Sequence, residues 1–326
     1  MIYNSLVGQQ QLRKNLINII ETGKLSHAIL LIGPQGSGKK SWGKLLARAI
    51  LCQESQGLEP CMKCPSCRSF QSSNHPEYFL IEPEKRRIKI EQIRSIRDRF
   101  SLSGSIKVCL IVNAEMMTAE ASSSLLKMLE EPPPGLHFIL LAEQPRLLFD
   151  TILSRCQRYM LKPLSRAEIF ELLIRKRAVT REKAALLARI SRGLPGQAFN
   201  LADDDRFEER YEEARALAYK LASGGDSALQ LLKWADSLAK RDDLIPILEL
   251  ICLNYRDSLV QYLCNEVKLL PETDEAAIRT EKLSAPGLEE AIILLNKAVY
   301  QISVTNVNRR LLLEMVLIML QRRLSK

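Results

Sequence analysis

An α/β domain built on a parallel sheet and followed by helical domains is the fold class that the sequence predicts. Up to residue 163, short apolar runs alternate with segments of helical periodicity, and this alternation is typical of a parallel sheet covered on both faces. After Pro163 the strand-like runs stop, and helical periodicity continues along the rest of the sequence. A chain of 326 residues also has room for about two or three domains.

Four apolar runs predict buried strands in the first half of the chain. They lie at residues 28–32, 78–81, 108–112 and 138–141. The spacing of apolar residues predicts helices before and between these strands. The helices are expected at residues 9–22, 41–51, 90–100 and 119–131.

The second half of the chain reads as helical throughout. Ser165 followed by Glu168 is a capping-box pattern that opens a helix. Three short helices are predicted up to residue 203, and the later helices are expected to break at Gly and Pro. The expected breaks are Thr180, 193–196, 224–225, Pro271 and 286–287.

These patterns predict three domains. The first is an α/β domain over residues 1–163, which carries a cysteine-rich insert at residues 52–67. A small helical domain at residues 164–204 and a larger helical domain at residues 205–326 follow it.

The composition excludes several classes of protein. Hydrophobic residues make up 46% and charged residues 26%, which is ordinary for a folded globular chain and argues against disorder. No apolar run approaches the roughly 18 residues of a membrane span, and residues 1–5 do not resemble a signal peptide. We therefore expect a cytoplasmic protein. The net charge of +9 weakly favours a polyanionic neighbour such as nucleic acid.

A glycine-rich loop between the first strand and the next helix predicts a phosphate site. The loop reads Gly-Pro-Gln-Gly-Ser-Gly-Lys at residues 33–39. Gly33, Gly36 and Gly38 let backbone N–H groups converge on phosphate oxygens, and Lys39 would reach the outer phosphates. The alternative is a tight turn of the same composition that binds no phosphate.

Two features that hold Mg²⁺ in such sites are missing. Lys40 follows the loop lysine where Ser or Thr would ligate the metal, and Ser41 comes one residue late. The third strand leads into Val112-Asn113 instead of Asp-Glu. The sequence therefore predicts that the chain does not hydrolyse nucleotide and makes ATP binding doubtful. The alternative is an active ATPase in which Ser41 and Glu115 serve as substitutes.

Four clustered cysteines predict a structural metal site. They are Cys52, Cys61, Cys64 and Cys67. Four thiolates close a tetrahedral Zn²⁺ site and leave no open position. Zinc is favoured over an iron–sulfur cluster or free thiols, because ferredoxin-type runs place the fourth cysteine downstream, before proline. His75 is a spare ligand that four cysteines make unnecessary.

Several segments carry a resemblance to a known family. They are residues 6–9 (Leu-Val-Gly-Gln), 26–34, the cysteine insert, 125–133 (Leu-Leu-Lys-Met-Leu-Glu-Glu-Pro-Pro) and 152–156 (Ile-Leu-Ser-Arg-Cys). Together they resemble the AAA+ clamp-loader subunits of bacterial DNA polymerase III, with a looser likeness at residues 306–314. The resemblance implies an AAA+ P-loop domain, a helical lid domain and an all-α collar domain that assembles with sister subunits.

The departures from that family's ATPase subunits resemble its non-hydrolysing member. Besides Lys40 and residues 112–113, the first sensor region has Glu143 where threonine is usual, and residues 193–196 lack the second-sensor arginine. The resemblance implies that Arg155 acts as an arginine finger in trans and that Ser154 positions it, while Cys156 is a small buried residue.

The resemblance also implies the partners. They are the ATPase subunits (gamma/tau) and the delta subunit in a hetero-oligomer, with the sliding clamp and primed DNA contacted through the complex. Two other functions stay open, namely an active clamp-loader ATPase and a zinc-dependent DNA-binding protein with a relic phosphate loop.

Overall fold

A computed structural model describes residues 7–100, 105–263 and 283–324 of the chain. It divides into two compact units, one up to residue 203 and one from residue 204. Each unit is described below by itself. The three-domain division that the sequence predicts stays a prediction.

A five-stranded sheet forms the centre of the first unit. Its strands are β1 (Ala28–Ile32), β2 (Tyr78–Ile81), β3 (Lys107–Ile111), β4 (Leu136–Ala142) and β5 (Gln157–Met160). All neighbouring strands are parallel, in the order β2-β3-β4-β1-β5. In register, Leu30 of β1 lies between Leu140 of β4 and Arg158 of β5. The predicted α/β fold with a parallel sheet is therefore confirmed.

The first unit contains nine α-helices in its described part, and the last three of them follow the last strand of the sheet in the chain. They are α1 (Gln10–Glu21), α2 (Lys39–Leu51), α3 (Pro65–Gln71), α4 (Ile90–Phe100), α5 (Ala119–Glu130), α6 (Asp150–Leu153), α7 (Arg166–Lys176), α8 (Arg181–Ile190) and α9 (Pro195–Ala202). The capping box that opens α7 is formed, because Ser165 and Glu168 each bond the other's backbone N–H. The three short predicted helices correspond to α7, α8 and α9.

Helices cover both faces of the central strands β1, β3 and β4, and alternate residues of these strands point to opposite sides. From β1, Leu30 packs in one cluster with residues of α4 and α5, including Ile93 and Leu125. Leu31 packs in the other cluster with residues of α1 and α2, including Leu16 and Leu45. The helices on the two faces hold the strands in place. The carboxyl ends of β1, β3 and β4 lie at the same edge of the sheet, which is where open α/β sheets bind their ligands.

The second unit consists of helices in its described part. They are α10 (Phe207–Ser223), α11 (Ala228–Ala239), α12 (Leu244–Leu263), α13 (Ala285–Val304) and α14 (Arg309–Leu324). Gly224 and Gly225 separate α10 from α11, as predicted. Pro286 was expected to break a helix but lies in the first turn of α13, where proline is tolerated because its missing N–H would be unpaired anyway. Pro271 lies outside the described residues.

Packing of apolar side chains between these helices forms the core of the second unit. Tyr255 of α12 is fully buried, and its hydroxyl donates to the carbonyl oxygen of Ala218 in α10 at 3.1 Å. Leu295 of α13 and Leu317 of α14 are also fully buried. Among the described residues, no helix has both the length and the apolar character needed to cross a membrane.

Candidate functional site

The glycine-rich loop lies where the sequence predicts, between β1 and α2. Gly36 and Gly38 have φ angles of 80° and 91°, a region that favours glycine because it lacks a Cβ. Gly38 precedes the first residue of α2, which is Lys39. The backbone N–H groups at the start of α2 therefore belong to a phosphate-loop arrangement.

The ammonium group of Lys39 is held by the chain itself. Its Nζ donates to the carbonyl oxygens of Gly33 at 2.6 Å and Pro34 at 3.0 Å, and it lies 3.5 Å from Oε1 of Glu143. Lys39 is only 7% exposed. Burial lowers its pKa, while the charge of Glu143 acts in the opposite direction. Two of the three donors of the ammonium are therefore used by carbonyl groups of the loop itself, and its charge is paired with that of Glu143.

The start of α9 lies directly on this loop. The N–H of Gly196 donates to the carbonyl oxygen of Gly36 at 2.8 Å. A Cβ added at Gly196 would lie 2.8 Å from Cα of Gly36, so the two backbones approach as closely as glycine allows. The helix thus packs against the outer side of the phosphate loop without an arginine between them.

Replacing Gly196 with alanine is expected to destabilise the chain by about 1–3 kcal/mol, because the added methyl group overpacks the loop. Urea denaturation of the purified protein measures this change. Asn200→Ala is the matched control, since Asn200 is exposed on the same helix. Equal midpoints for the Gly196→Ala variant and the wild type would contradict the close packing.

The residues that replace the usual magnesium ligands have other partners. Lys40 forms an ion pair with Glu82, which follows β2, at 2.6 Å. Ser41 is exposed on α2. Glu115 follows β3, and its Oε1 accepts from the backbone N–H groups of Glu143 at 2.8 Å and Gln144 at 3.4 Å. Glu115 therefore ties the end of β3 to the end of β4.

Arg155 lies at the end of the short helix α6, on the surface of the first unit. Its Nη2 donates to Oε1 of Glu130 at 2.7 Å, and its Nη1 donates to the carbonyl oxygen of Thr151 at 2.9 Å. About a third of its side chain, 35%, is exposed. Ser154 is exposed beside it, and its hydroxyl donates to the same carbonyl oxygen of Thr151 at 3.1 Å. Cys156 is buried, as predicted.

The four clustered cysteines come together in one site. Their Sγ atoms all lie within 4.8 Å of one another. Cys52 follows the last residue of α2, and Cys64 precedes α3. Each of Cys61, Cys64 and Cys67 donates its backbone N–H at 3.3 Å to the sulfur of the preceding cysteine of the cluster. Met62, with a φ of 64°, makes the tight turn between the second and third cysteines.

This geometry fits a tetrahedral metal ion. Zinc–sulfur bonds of about 2.3 Å place sulfur atoms about 3.8 Å apart, and the Sγ atoms of Cys52 and Cys64 are 4.0 Å apart. Burial opposes ionisation of Cys64, but N–H groups of Cys67 and Gln53 lower its pKa to about 6. His75 lies outside the cluster and contacts the hydroxyl of Ser66 at 2.9 Å.

Comparison with known proteins identifies the family. A family model described as "DNA polymerase III, delta subunit" matches residues 8–165. The chain is 33% identical to DNA polymerase III subunit delta' of Bacillus subtilis (strain 168) over 323 residues, covering 96% of each chain. The chain belongs to the DNA polymerase III delta prime family. This confirms the resemblance to clamp-loader subunits that the sequence motifs carry.

A tau subunit and a solved structure are also similar to the chain. The tau subunit of Bacillus subtilis (strain 168) is 35% identical over 166 residues, which cover 50% of this chain and 29% of that protein. Among solved structures, the RuvB Holliday junction branch migration motor of Thermotoga maritima covers 85% of this chain and 89% of its own, with 19% identity and a TM-score of 0.46.

Sequence reasoning missed three partners of the predicted site residues. Glu143 had been noted only as a departure from threonine, and its contact with Lys39 was not predicted. Glu130 is the ion-pair partner of Arg155, and Arg48 lies against the cysteine cluster. Glu130 had a visible signal, since it occurs in a segment that carries the family resemblance, and Glu143 stood out only as a departure from the family pattern.

Proposed function

We propose that the chain is a non-hydrolysing clamp-loader subunit that donates Arg155 to a nucleotide bound by a neighbouring ATPase subunit. One contrast carries the proposal. The lysine of the chain's own phosphate loop is buried, hydrogen-bonded and ion-paired within the chain, whereas the guanidinium of Arg155 is partly accessible at the surface.

The electrostatics of the loop support the absence of hydrolysis. The carboxylate of Glu143 lies 3.5 Å from the ammonium of Lys39 and would repel a phosphate group that approached this ammonium, because like charges repel. Lys40 places a second ammonium where the usual hydroxyl would ligate Mg²⁺, and its ion pair with Glu82 occupies that carboxylate. A triphosphate would therefore have to displace internal partners and would still lack a metal ligand.

The position of Arg155 supports a role in trans. Its Nη2 donates to an anionic oxygen of Glu130. A phosphoryl oxygen accepts the same kind of hydrogen bond and belongs to a group with more negative charge. The contact with Thr151 holds Nη1 in place during such an exchange. Guanidinium groups supplied by a neighbouring subunit stabilise the charge of a transferring phosphoryl group.

We infer that the partners are the gamma/tau ATPase subunits and the delta subunit of DNA polymerase III, in a hetero-oligomer that loads the sliding clamp on primed DNA. Family membership supports this assignment. The second unit adds an exposed apolar stripe on α13, where Ile293, Tyr300 and Val304 are each more than 60% exposed at helical spacing. Such a stripe is typical of a protein contact, as a collar requires.

We also propose that Cys52, Cys61, Cys64 and Cys67 hold a structural zinc ion. When bound, the metal would supply only cross-linking, because four thiolates leave no position for a substrate. The residues themselves fix the end of α2, the intervening turn and the start of α3.

An ATPase assay of the purified chain tests the absence of hydrolysis. We expect no turnover with Mg²⁺ and ATP, and Lys39→Met is expected to leave the ATPase rate of the assembled clamp loader unchanged. Lys44→Met is the matched control, because Lys44 is exposed on the same helix. Turnover by the purified chain that Lys39→Met abolishes would contradict the proposal and favour an active ATPase.

A further inference from the structure

A buried arginine lies against the cysteine cluster. Arg48, in the last turn of α2, is only 2% exposed. Its Nη2 donates to the carbonyl oxygen of Cys67 at 3.0 Å. Its guanidinium carbon lies 5.8 Å from the centre of the Phe70 ring. The charged end of the side chain is therefore inside the protein, beside one of the four cysteines.

No carboxylate in the described part of the chain serves as a counter-charge for the guanidinium of Arg48. Its Nε and Nη1 atoms are buried and have no hydrogen-bond partner in the part of the chain that the structure describes. Within the same residues, no carboxylate forms an ion pair with it. An unpaired buried charge is strongly unfavourable, so this position calls for an anion that the described carboxylates do not provide.

The metal-loaded cluster is such an anion. Metal binding requires deprotonated thiols, and four thiolates of charge −1 around a divalent ion of charge +2 give a net charge of −2. The carbonyl group that Arg48 binds belongs to Cys67, and the Sγ of Cys67 lies within 4.8 Å of the other three sulfur atoms. The negative charge of a loaded site would therefore form next to the buried guanidinium.

We propose that Arg48 is the buried counter-charge of a divalent metal held by the four cysteines, and that it raises the affinity of the cluster for that metal. This inference rests on the metal site proposed above. Arg48 acts on both states of the site. It stabilises the dianionic loaded cluster by charge attraction, and it destabilises the metal-free protein, in which its buried Nε and Nη1 atoms have no hydrogen-bond partner among the described residues.

Arg48→Met tests the effect on affinity, because methionine fills similar space without charge or donors. We expect the zinc affinity of the full-length chain at pH 7 to fall by roughly 10- to 100-fold, the range for outer-shell partners of metal ligands. Competition with a chromophoric chelator measures this change. Arg48→Lys keeps the charge and is expected to bind zinc more tightly than Arg48→Met. Arg68→Met is the matched control, because Arg68 is exposed on α3 next to Cys67.

Thermal unfolding of the metal-free proteins separates a counter-charge from a structural role. With zinc removed by chelator, we expect Arg48→Met to melt at the same temperature as the wild type or higher, because the unpaired charge is gone. If Arg48 served only to bond the carbonyl group of Cys67, Arg48→Met would lower the melting temperature by the same amount with and without zinc.

Each outcome decides the matter. Wild-type zinc affinity in Arg48→Met would overturn the role of Arg48, and so would a metal-free variant that melts lower than metal-free wild type or does not fold. A wild-type chain that binds no zinc would overturn the metal site as well, whereas tight wild-type binding with an unaffected variant would overturn the role of Arg48 alone.

Discussion

Replacing Arg155 with alanine is expected to lower ATP turnover at the neighbouring site that receives its guanidinium by a factor on the order of 10³, the lower end of the range for arginine fingers. The variant should still assemble, because Arg155 is partly exposed and its ion pair with Glu130 lies at the surface, where such pairs contribute about 0–1 kcal/mol to stability. Steady-state ATPase and clamp-loading assays of the complex reconstituted with its ATPase and delta subunits measure the effect.

Two variants make the result for Arg155 specific. Arg158→Ala removes an exposed arginine of β5 close in sequence and is expected to leave turnover unchanged. Arg155→Lys keeps the charge but loses the planar group that holds the carbonyl oxygen of Thr151 and an anion together, so only partial turnover is expected. Wild-type ATPase and loading rates with Arg155→Ala would refute the role in trans.

Of the four strands that the sequence predicts, β1, β3 and β4 are almost wholly buried, whereas β2 lies at an edge of the sheet and is only partly buried. β1 and β3 consist of consecutive buried residues, and such runs are visible without knowledge of the fold. β5 was missed because Gln157 and Arg158 interrupt its apolar pattern, and both of these side chains and Met160 are exposed. Its strand conformation depends on pairing with β1, a contact between distant parts of the chain that no local pattern encodes.

The sequence predicted where the phosphate loop lies but not how its lysine is bonded. Glycine spacing and the flanking strand and helix place the loop, because these are local properties. The bonds of Lys39 to Gly33 and Pro34 and its approach to Glu143 depend on how β1 and β4 pair. The sequence therefore indicated a defective metal site, while the internal bonding of the lysine required the structure.

The cysteine cluster shows the same division between local and distant information. The three cysteines that are close in sequence form a tight turn, and the helix that precedes Cys52 brings the fourth into the site. Arg48 lies one helical turn before Cys52, in a segment whose pattern resembles an ordinary amphipathic helix. Burial of its guanidinium follows from the packing of α2 on α3 and could not be inferred from spacing.

Removal of metal is expected to lower the thermal midpoint of the first unit by roughly 8–16 °C. A ligand present at about 1,000 times its Kd stabilises the folded state by about 4 kcal/mol, and each kcal/mol corresponds to about 2–4 °C in a unit of this size. The described cysteines form no disulfide, so the metal would be the only covalent-strength link among the described residues of the insert. Calorimetry with and without chelator measures the shift.

The loss of stability on metal removal should be confined to the helices that the cysteine cluster joins, α2 and α3. Hydrogen exchange is expected to accelerate from the end of α2 through α3 after chelation, and added zinc should restore protection. Cys67→Ser is expected to abolish the difference between zinc and chelator, whereas Cys252→Ser, which changes a cysteine of the second unit, should preserve it. A wild-type midpoint that does not change while elemental analysis confirms loss of metal would show that the cluster contributes no stability through a bound ion.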